Sequence, residues 1–287
     1  MAPHKRRNLV LFKFPGGKSK MVDVIRSHID DPIIRTGVYY EPFIGGGPVM
    51  LSIAGNSMPL EYPAFSATKL YANDMDPNVA AFWEFMTVAT DSEFEKFMQL
   101  ISRKPTIEMF WEEREKEKHP RDRMTMAYHC VFFHKTTFNG MYFASPIGGK
   151  KQKSKWTVGC HYTPENLMKR LVEARIRVRG RLNVSQMDII RYLEDVVPCD
   201  AAMYLDPPYY TVGHTLYPVS MSPDEHLKLS EELRGRTNWV LSYDDCPEVR
   251  SMYDYAKIYE YPMWYSSSSF SSTGECATKT ELIIVPK

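Results

Sequence analysis

A strand that must stop abruptly constrains the fold of this chain most strongly. Residues 201–205 form a short apolar run that leads directly into Asp206, two prolines and two tyrosines. The run predicts a buried strand, and proline ends it because proline cannot donate to a sheet ladder. A residue that precedes proline is kept out of the α region, so the backbone at Asp206 and Pro207 is expected to be extended and stiff. The stretch is either a simple turn or a ligand site, since open α/β sheets bind ligands where their strands end.

Other strands alternate with helices on both sides of this stretch. Apolar runs predict strands near residues 8–14, 38–44, 70–73, 182–186, 238–243, 258–261 and 281–285. Such alternation is typical of an α/β fold with a mostly parallel sheet. Residues 84–180 interrupt it with a mainly helical pattern, so we expect a division into 1–83, 84–180 and 181–287. The serine-rich residues 266–274 are expected to be flexible.

Two glycine-rich turns predict places where a ligand can approach the backbone. One covers residues 15–18 and the other residues 45–47; glycine has no Cβ to block such an approach. The strand after the second turn ends near Asp74 and Asp76, a spacing typical of carboxylates that hold a ribose. Asp76 also suits a simple helix start. A nucleotide-phosphate loop is excluded because Phe12 stands where that motif requires glycine.

Positive charge is concentrated in one segment of a nearly neutral chain. Residues 131–181 carry eleven Lys and Arg against two Glu, a local charge of +9 in a chain of net charge +1. Within this segment, residues 135–165 interleave lysines with aromatic and turn-forming residues. This mixture favours a nucleic-acid contact, although a solvated helix surface is the simpler alternative.

Cysteine usage and hydropathy predict a cytoplasmic protein. The five cysteines are scattered without metal-ligand spacing, which indicates a reducing compartment, no disulfide framework and no metal site. The basic N-terminus is not followed by a long apolar segment, so we expect no secretory signal. No apolar run approaches the ~20 residues that a membrane-spanning helix needs.

Four motifs in chain order resemble the Dam-like family of DNA adenine-N6 methyltransferases in its α-type arrangement. They are Phe-Pro-Gly-Gly-Lys at 14–18, Glu-Pro-Phe-Ile-Gly-Gly-Gly at 41–47, Asn-Asp at 73–74, and Asp-Pro-Pro-Tyr at 206–209. The resemblance covers nearly the whole chain. It implies a Rossmann-like S-adenosylmethionine-dependent methyltransferase sheet with an inserted, mainly helical DNA-recognition domain at residues 84–180. The chain departs from the family at Phe14-Pro15, where many members have Trp-Ala, and at Gly46, where Ala or Cys is frequent.

The resemblance also implies which residues bind the cofactor and the DNA. The cofactor would be S-adenosyl-L-methionine, contacted by Phe14, Lys18, Phe43, Gly45, Gly47, Asp74, Asp188 and Asp206. Double-stranded DNA would be contacted from the basic segment by Lys135, Asn139, Lys150, Lys151, Lys153 and Lys155. Asn139 begins an Asn-Gly-Met-Tyr stretch that looks like a family element. The expected location is the cytoplasm of a bacterial or phage-infected cell.

The catalytic residues implied are Asp206, Pro207, Pro208 and Tyr209. An adenine within a duplex is unreachable, so it must be flipped out of the stack. Its exocyclic amine is a poor nucleophile because the lone pair is delocalised into the ring. Asp206 and the Pro207 carbonyl would accept the two N–H groups, Pro208 would stiffen the turn, and Tyr209 would stack on the base. Tyr210 receives no role.

Several alternatives remain open from the sequence. Cytosine-C5 transfer needs a Pro-Cys nucleophile, but Cys199 precedes the strand and is interpreted as an ordinary buried thiol. Cytosine-N4 transfer uses a similar pair of acceptors, and RNA is another substrate to weigh. A non-catalytic DNA-binding module explains the lysines but not Asp206 and the glycine turn. The recognition sequence, a cognate restriction nuclease and a phage role are undetermined, and a monomer is the preferred oligomeric state.

Overall fold

Seven strands form one sheet in the part of the chain that the computed structural model describes, residues 8–55, 68–264 and 278–287. The strands are β1 (Val38–Glu41), β2 (Lys69–Asn73), β3 (Leu182–Ser185), β4 (Met203–Leu205), β5 (Trp239–Asp244), β6 (Lys257–Trp264) and β7 (Thr278–Val285). Their spatial order is β3-β2-β1-β4-β5-β7-β6. The first five are parallel to one another, and β7 runs antiparallel between β5 and β6. The predicted α/β fold with a mostly parallel sheet is confirmed.

Helices connect these strands, and their ends carry recognisable capping residues. They are α1 (Val22–Thr36), α2 (Pro48–Ala54), α3 (Pro77–Val88), α4 (Asp91–Ile101), α5 (Ile107–Lys116), α6 (Arg123–Thr136), α7 (Pro164–Val178), α8 (Ile189–Asp195), α9 (Gly213–Leu216), α10 (Pro223–Arg234) and α11 (Pro247–Met252). Thr90 and Ser222 each form a capping box with a glutamate three residues later, which satisfies two orphan amides at the start of α4 and α10.

The order of the strands places a crevice between β1 and β4. From β1 the chain moves outward to β2 and β3, and it then returns to β4 on the other side of β1. Tyr40 of β1 is paired with Met203 of β4 at this point. Because connections leave in opposite directions here, the carboxyl ends of β1 and β4 form the switch point where open α/β sheets bind ligands.

The strand predicted at residues 8–14 is wrong. These residues form neither a strand nor a helix, and the chain bends at Phe12. Phe12 is buried against Phe82 of α3 and His134 of α6, with ring centroids 5.5 and 5.1 Å apart. Arg170 of α7 donates to the carbonyl of Val10 at 2.9 Å. The apolar run is therefore buried by helices. Its composition alone does not distinguish this environment from burial within a sheet.

The helices of residues 84–180 share a core with the sheet. One continuous cluster of buried side chains includes Phe97 of α4, Phe110 of α5 and Leu171 of α7 together with Tyr39 of β1 and Leu70 of β2. The predicted boundary at residue 84 falls within α3. The division into 1–83, 84–180 and 181–287 therefore stays a prediction.

The serine-rich stretch at 266–274 lies outside the described residues. Among the helices that are described, none is both long enough and apolar enough to cross a lipid bilayer.

Candidate active site

A cavity of about 740 Å³ opens where β1, β2 and β4 end, and the segment that precedes α1 forms part of its lining. Its lining includes ten of the predicted site residues, namely Phe14, Lys18, Phe43, Gly45, Asp74, Lys135, Asn139, Asp206, Pro208 and Tyr209. Seven others do not line it, namely Gly47, Lys150, Lys151, Lys153, Lys155, Asp188 and Pro207. The fold thus brings the two glycine turns and the Asp206 strand end to one place.

Lys18 is the buried centre of this site, with 1% of its surface exposed. Its Nζ donates to Asp206 Oδ1 at 2.6 Å and to the Gly16 carbonyl at 2.8 Å. The same nitrogen lies 3.1 Å from Glu281 Oε1 of β7 and 3.4 Å from the Tyr209 hydroxyl. One ammonium therefore joins the N-terminal loop, the end of β4 and the last strand.

The charge on Lys18 is sustained by its neighbours. Burial alone lowers the pKa of this amine, but the carboxylates of Asp206 and then Glu281 outweigh burial and raise it well above its usual value. A buried charge is tolerated when it is paired and hydrogen-bonded. Lys18 is accordingly charged at neutral pH.

Hydrogen bonds from neighbouring side chains orient the Asp206 carboxylate, and part of it stays exposed. Ser242 of β5 donates to Asp206 Oδ1 at 2.8 Å, and the hydroxyl of Tyr204 lies 2.8 Å from the same serine oxygen. The side chain of Asp206 remains 22% exposed. Its carboxylate can therefore meet a ligand in the cavity while neighbours restrain its rotation.

The two tyrosines that follow the prolines have different surroundings. Tyr209 is 8% exposed, and its hydroxyl donates to Glu281 Oε2 at 3.1 Å. Tyr210 points the other way: its ring lies 5.2 Å from that of His226, and its backbone N–H donates to Asp244 Oδ1 at 3.0 Å. Tyr210, to which the sequence assigned no role, thus anchors the turn after β4.

The glycine turn after β1 is shaped by Trp83 and Phe14. Gly45 has φ of 44° and Gly47 has φ of 61°, a region that residues with a Cβ rarely adopt. The Trp83 indole donates to the Gly45 carbonyl at 2.8 Å. A Cβ on Gly47 would stand 2.3 Å from the Trp83 ring, and one on Gly45 would stand 3.1 Å from the Phe14 ring. Glycine is needed at both positions for close packing.

Asp74 and Asp76 differ in what they contact. Asp74 accepts from the Gly45 N–H at 2.9 Å and from the Asp76 N–H at 3.0 Å. Burial, followed by the nearby Asp76 carboxylate, raises the pKa of Asp74 to about 7. Asp76 caps α3 by accepting from Asn78 N at 2.8 Å, as the alternative interpretation of its position expected. Asp74 is the half-buried carboxylate that stiffens the glycine turn.

Phe14 is held by a stacked histidine. The ring of His134 on α6 lies 4.8 Å from that of Phe14 at an interplanar angle of 14°. Burial lowers the pKa of His134 to about 4, while its contact with the Cys130 carbonyl acts in the opposite direction. His134 is therefore neutral at pH 7, and Phe14 stacks on an uncharged ring.

Two further expectations concern residues away from the cavity. Asp188 caps α8 through hydrogen bonds from Ile190 N at 3.0 Å and Arg191 N at 3.2 Å, so it has a structural role whether or not a cofactor reaches it.

The interpretation of Cys199 as a buried thiol is wrong, because its side chain is exposed. Cys199 lies in the surface loop between α8 and β4, and its carbonyl accepts from Thr237 N at 3.0 Å.

The basic segment divides into a part at the cavity and a part at the surface. Lys135 and Asn139 line the cavity, and Asn139 accepts from Lys13 Nζ at 3.0 Å. Asn139 has φ of 55°, a left-handed conformation that Asn tolerates better than most residues. The remaining predicted lysines, Lys150, Lys151, Lys153 and Lys155, are exposed. Exposed aromatic rings accompany them, among them Phe143 and Trp156.

Several site residues were missed from the sequence. Glu281 and Ser242 lie within apolar strand patterns, where a lone polar residue is the available signal. Glu41 belongs to a quoted motif but received no role; it is 1% exposed and accepts from the Tyr39 hydroxyl at 2.9 Å. Burial raises the pKa of Glu41 well above its usual value. His134 gave no signal, since a histidine in an apolar helix is usually part of the core.

Comparison with known proteins agrees with this geometry. A family model for the D12 class N6 adenine-specific DNA methyltransferases matches residues 14–265. The chain belongs to this family, and its activity is methylation of adenine N6 in DNA. The chain is also similar to the Type II methyltransferase M.MjaIII of Methanocaldococcus jannaschii, with 19% identity over 214 residues, 71% of this chain and 70% of the relative. The predicted family, Rossmann-like α/β fold and adenine-N6 activity are confirmed.

Proposed function

We propose that this chain transfers the methyl group of S-adenosylmethionine to the N6 amine of an adenine flipped out of a specific duplex DNA sequence. One observation carries the proposal. A single cavity extends from the Gly45 turn and Asp74 to Asp206 at the end of β4. The Gly45 turn, which we propose binds the cofactor, thus lies in the same cavity as a carboxylate that can accept hydrogen bonds from an amine.

The residues present fit S-adenosylmethionine as methyl donor. Cavities that hold ligands of this size measure roughly 300–1,000 Å³, and this one measures about 740 Å³. The Gly45 backbone packs directly on Phe14 without room for a Cβ, so the glycine turn and the Phe14 ring form one continuous part of the cavity lining. When bound, the cofactor supplies an activated methyl group on a sulfonium. We assign its binding to the predicted residues that line the cavity, namely Phe14, Lys18, Phe43, Gly45, Asp74 and Asp206. Gly47 and Asp188 do not line it, and their contact with the cofactor stays a prediction.

Asp206 and the Pro207 carbonyl would accept the two N–H groups of the target amine. Accepting both hydrogens localises the nitrogen lone pair toward the methyl donor. Ser242 at 2.8 Å and Lys18 at 2.6 Å restrain the Asp206 carboxylate before the substrate arrives, which is electrostatic preorganisation. Pro208 stiffens the turn, and Tyr209 offers a ring face for stacking on the flipped base.

The basic segment would hold the DNA. Lys135 and Asn139 line the cavity, where they are suited to a flipped nucleotide and its phosphates. Exposed lysines at 150, 151, 153 and 155 accompany exposed aromatic rings, a combination that suits phosphates and bases. We therefore assign residues 84–180 to target recognition, between cofactor loops in 1–83 and the Asp-Pro-Pro-Tyr motif in 181–287.

We infer a role in restriction-modification from the Type II relative. The partner there would be a cognate restriction nuclease that shares the recognition sequence without needing to bind this chain. We also propose that the chain is a monomer and that it acts in the cytoplasm of a bacterial or phage-infected cell.

Nucleoside mass spectrometry tests the proposed function. The purified chain is incubated with S-adenosylmethionine and DNA from a methylation-free host, and the DNA is then digested to nucleosides. N6-methyladenine is expected, and a parallel reaction with S-adenosylhomocysteine should give none. N4-methylcytosine, C5-methylcytosine or an unmodified digest would contradict the proposal.

A further inference from the structure

Glu281 contacts two parts of the site at once. This residue lies on β7 and is 1% exposed. Its Oε1 is 3.1 Å from Lys18 Nζ, and its Oε2 accepts from the Tyr209 hydroxyl at 3.1 Å. One carboxylate on the last strand therefore reaches both the N-terminal loop and the turn after β4.

The position of Glu281 resolves an electrostatic conflict around Asp206. Lys18 donates to the Asp206 oxygen Oδ1 at 2.6 Å. An ammonium paired with Asp206 alone would neutralise that carboxylate and compete for the lone pairs that the amine needs. With Glu281 on the other side, one positive charge is shared by two carboxylates, and the group of three carries a net charge of −1. That net charge favours the positive charge that develops on a methylated amine.

We propose that Glu281 is a positioning residue for methyl transfer, holding Lys18 and the Tyr209 hydroxyl so that Asp206 keeps its orientation. Glu281 acts through Lys18, Asp206 and Tyr209 without touching the reacting atoms. The proposal rests on the proposed function, because it concerns the same site. It adds a residue from β7 that none of the four sequence motifs contains.

The pKa of Lys18 depends on the charge of Glu281, so the titration of Lys18 tests the role of Glu281. The groups that influence it are Asp206, Glu281, Tyr209 and Tyr204, in that order after burial. Glu41 interacts in turn with Asp206. Removal of the Glu281 charge leaves burial opposed mainly by Asp206, so the pKa of Lys18 must fall. Activity of a variant without this charge should then fall at alkaline pH, where Lys18 loses its proton.

The experiment compares Glu281→Gln, which keeps the shape and removes the charge, with Glu281→Asp, which keeps the charge and shortens the reach. Glu260→Gln is the matched control, because Glu260 lies on the neighbouring strand β6 and pairs with Arg250 at the surface. The probes are unmethylated host DNA with S-adenosylmethionine for turnover, and the ¹⁵N signal of Lys18 Nζ in the protein alone for titration. Thermal unfolding shows whether each variant is folded.

Glu281→Gln should lower kcat by about 10- to 100-fold through misplacement of Asp206, with the KM for S-adenosylmethionine changed less than kcat. Its Lys18 signal should titrate at lower pH than in the wild type. Glu281→Asp should also lower kcat, while its Lys18 signal stays closer to that of the wild type. Glu260→Gln should match the wild type in both measurements.

A purely structural role predicts instead that the near-isosteric Gln leaves kcat unchanged and that only Asp lowers it. Wild-type kcat and an unshifted Lys18 signal in Glu281→Gln would overturn the proposal. If Glu281→Gln does not fold, Glu281→Asp decides: a loss of kcat at wild-type thermal stability supports the proposal, because a purely structural role would lower both, and wild-type kcat contradicts the proposal. A wild-type chain that makes no N6-methyladenine would instead overturn the proposed function, so the two failures are distinct.

Discussion

Lys18 Nζ lies 2.6 Å from Asp206 Oδ1, although the two residues are 188 positions apart in the chain. The segment that precedes α1 thereby reaches the carboxyl end of β4. Because Lys18 is buried and Asp206 is partly exposed, the lysine belongs to the frame and the aspartate faces the cavity. Two motifs that lie far apart in the sequence therefore form one unit.

Substitution of Gly47 should destabilise the chain by sterics as well as by backbone strain. Gly47→Ala would place a Cβ 2.3 Å from the Trp83 ring, whereas Gly180→Ala, also at positive φ, meets nothing within 4 Å. The strain common to both is about 1–2 kcal/mol. Overpacking should cost Gly47→Ala about 1–3 kcal/mol more. Urea unfolding of both variants measures the difference, and equal losses would contradict the clash with Trp83.

Asp74 should make stability fall as pH rises through neutrality. The pKa of Asp74 is raised to about 7, chiefly by burial, so the folded state keeps this proton to higher pH than the unfolded state. Between about pH 4 and 7 folding takes up a proton, and the free energy of unfolding decreases with pH. Asp74→Asn removes this loss and should therefore be more stable relative to the wild type at pH 8 than at pH 5, by about 2–3 kcal/mol.

Urea unfolding at both pH values checks the prediction for Asp74, with the exposed Asp31→Asn as control. A stability advantage of Asp74→Asn that shrinks from pH 5 to pH 8 would contradict it. The same variant should bind S-adenosylhomocysteine more weakly, because the carboxylate that stiffens the Gly45 turn is lost.

Phe14→Ala should weaken cofactor binding without unfolding the chain. The ring is only partly buried, stacks on His134 at 4.8 Å and covers the Gly45 turn. Loss of an aromatic contact of this kind is worth about 1.4 kcal/mol, or about tenfold in dissociation constant. Calorimetry with S-adenosylhomocysteine provides the measurement. Phe143→Ala, at a ring that is 70% exposed, should keep wild-type affinity, and equal weakening of both variants would refute a specific role for Phe14.

The surface lysines should control how DNA binding depends on salt. Replacing Lys150, Lys151, Lys153 and Lys155 with Ala should reduce the slope of log K against log salt by about 0.9 for each lysine that contacts a phosphate. Lys228→Ala, on the exposed face of α10, is the control and should leave the slope unchanged. Fluorescence anisotropy with duplex DNA over a salt series gives the slope. A slope identical to that of the wild type would remove these lysines from the interface.

Local patterns in the sequence predict most of the sheet and the position of the cavity. Strand ends marked by Gly45, Asp74 and Asp206 converge because parallel strands finish at one edge. An apolar run signals burial but not which elements bury it. The strand predicted at residues 8–14 is wrong for this reason, since Phe12 packs against α3 and α6.

Long-range pairing explains what was missed at the site. Glu281 sits near Lys18 because β7 lies next to β5, and no local pattern reports that adjacency. The backbone of Tyr210 is anchored by Asp244 at the end of β5 for the same reason. Cys199 was expected to be an ordinary buried thiol, but it is exposed in the loop between α8 and β4.

The central claim is that Asp206 carries the methyl-transfer chemistry, and Asp206→Ala tests it most directly. The variant and the wild type are incubated with S-adenosylmethionine and unmethylated DNA, and N6-methyladenine is quantified by mass spectrometry while circular dichroism monitors folding. We expect a loss of at least about 100-fold in product with a wild-type spectrum. Near-normal turnover by the folded variant would contradict the account.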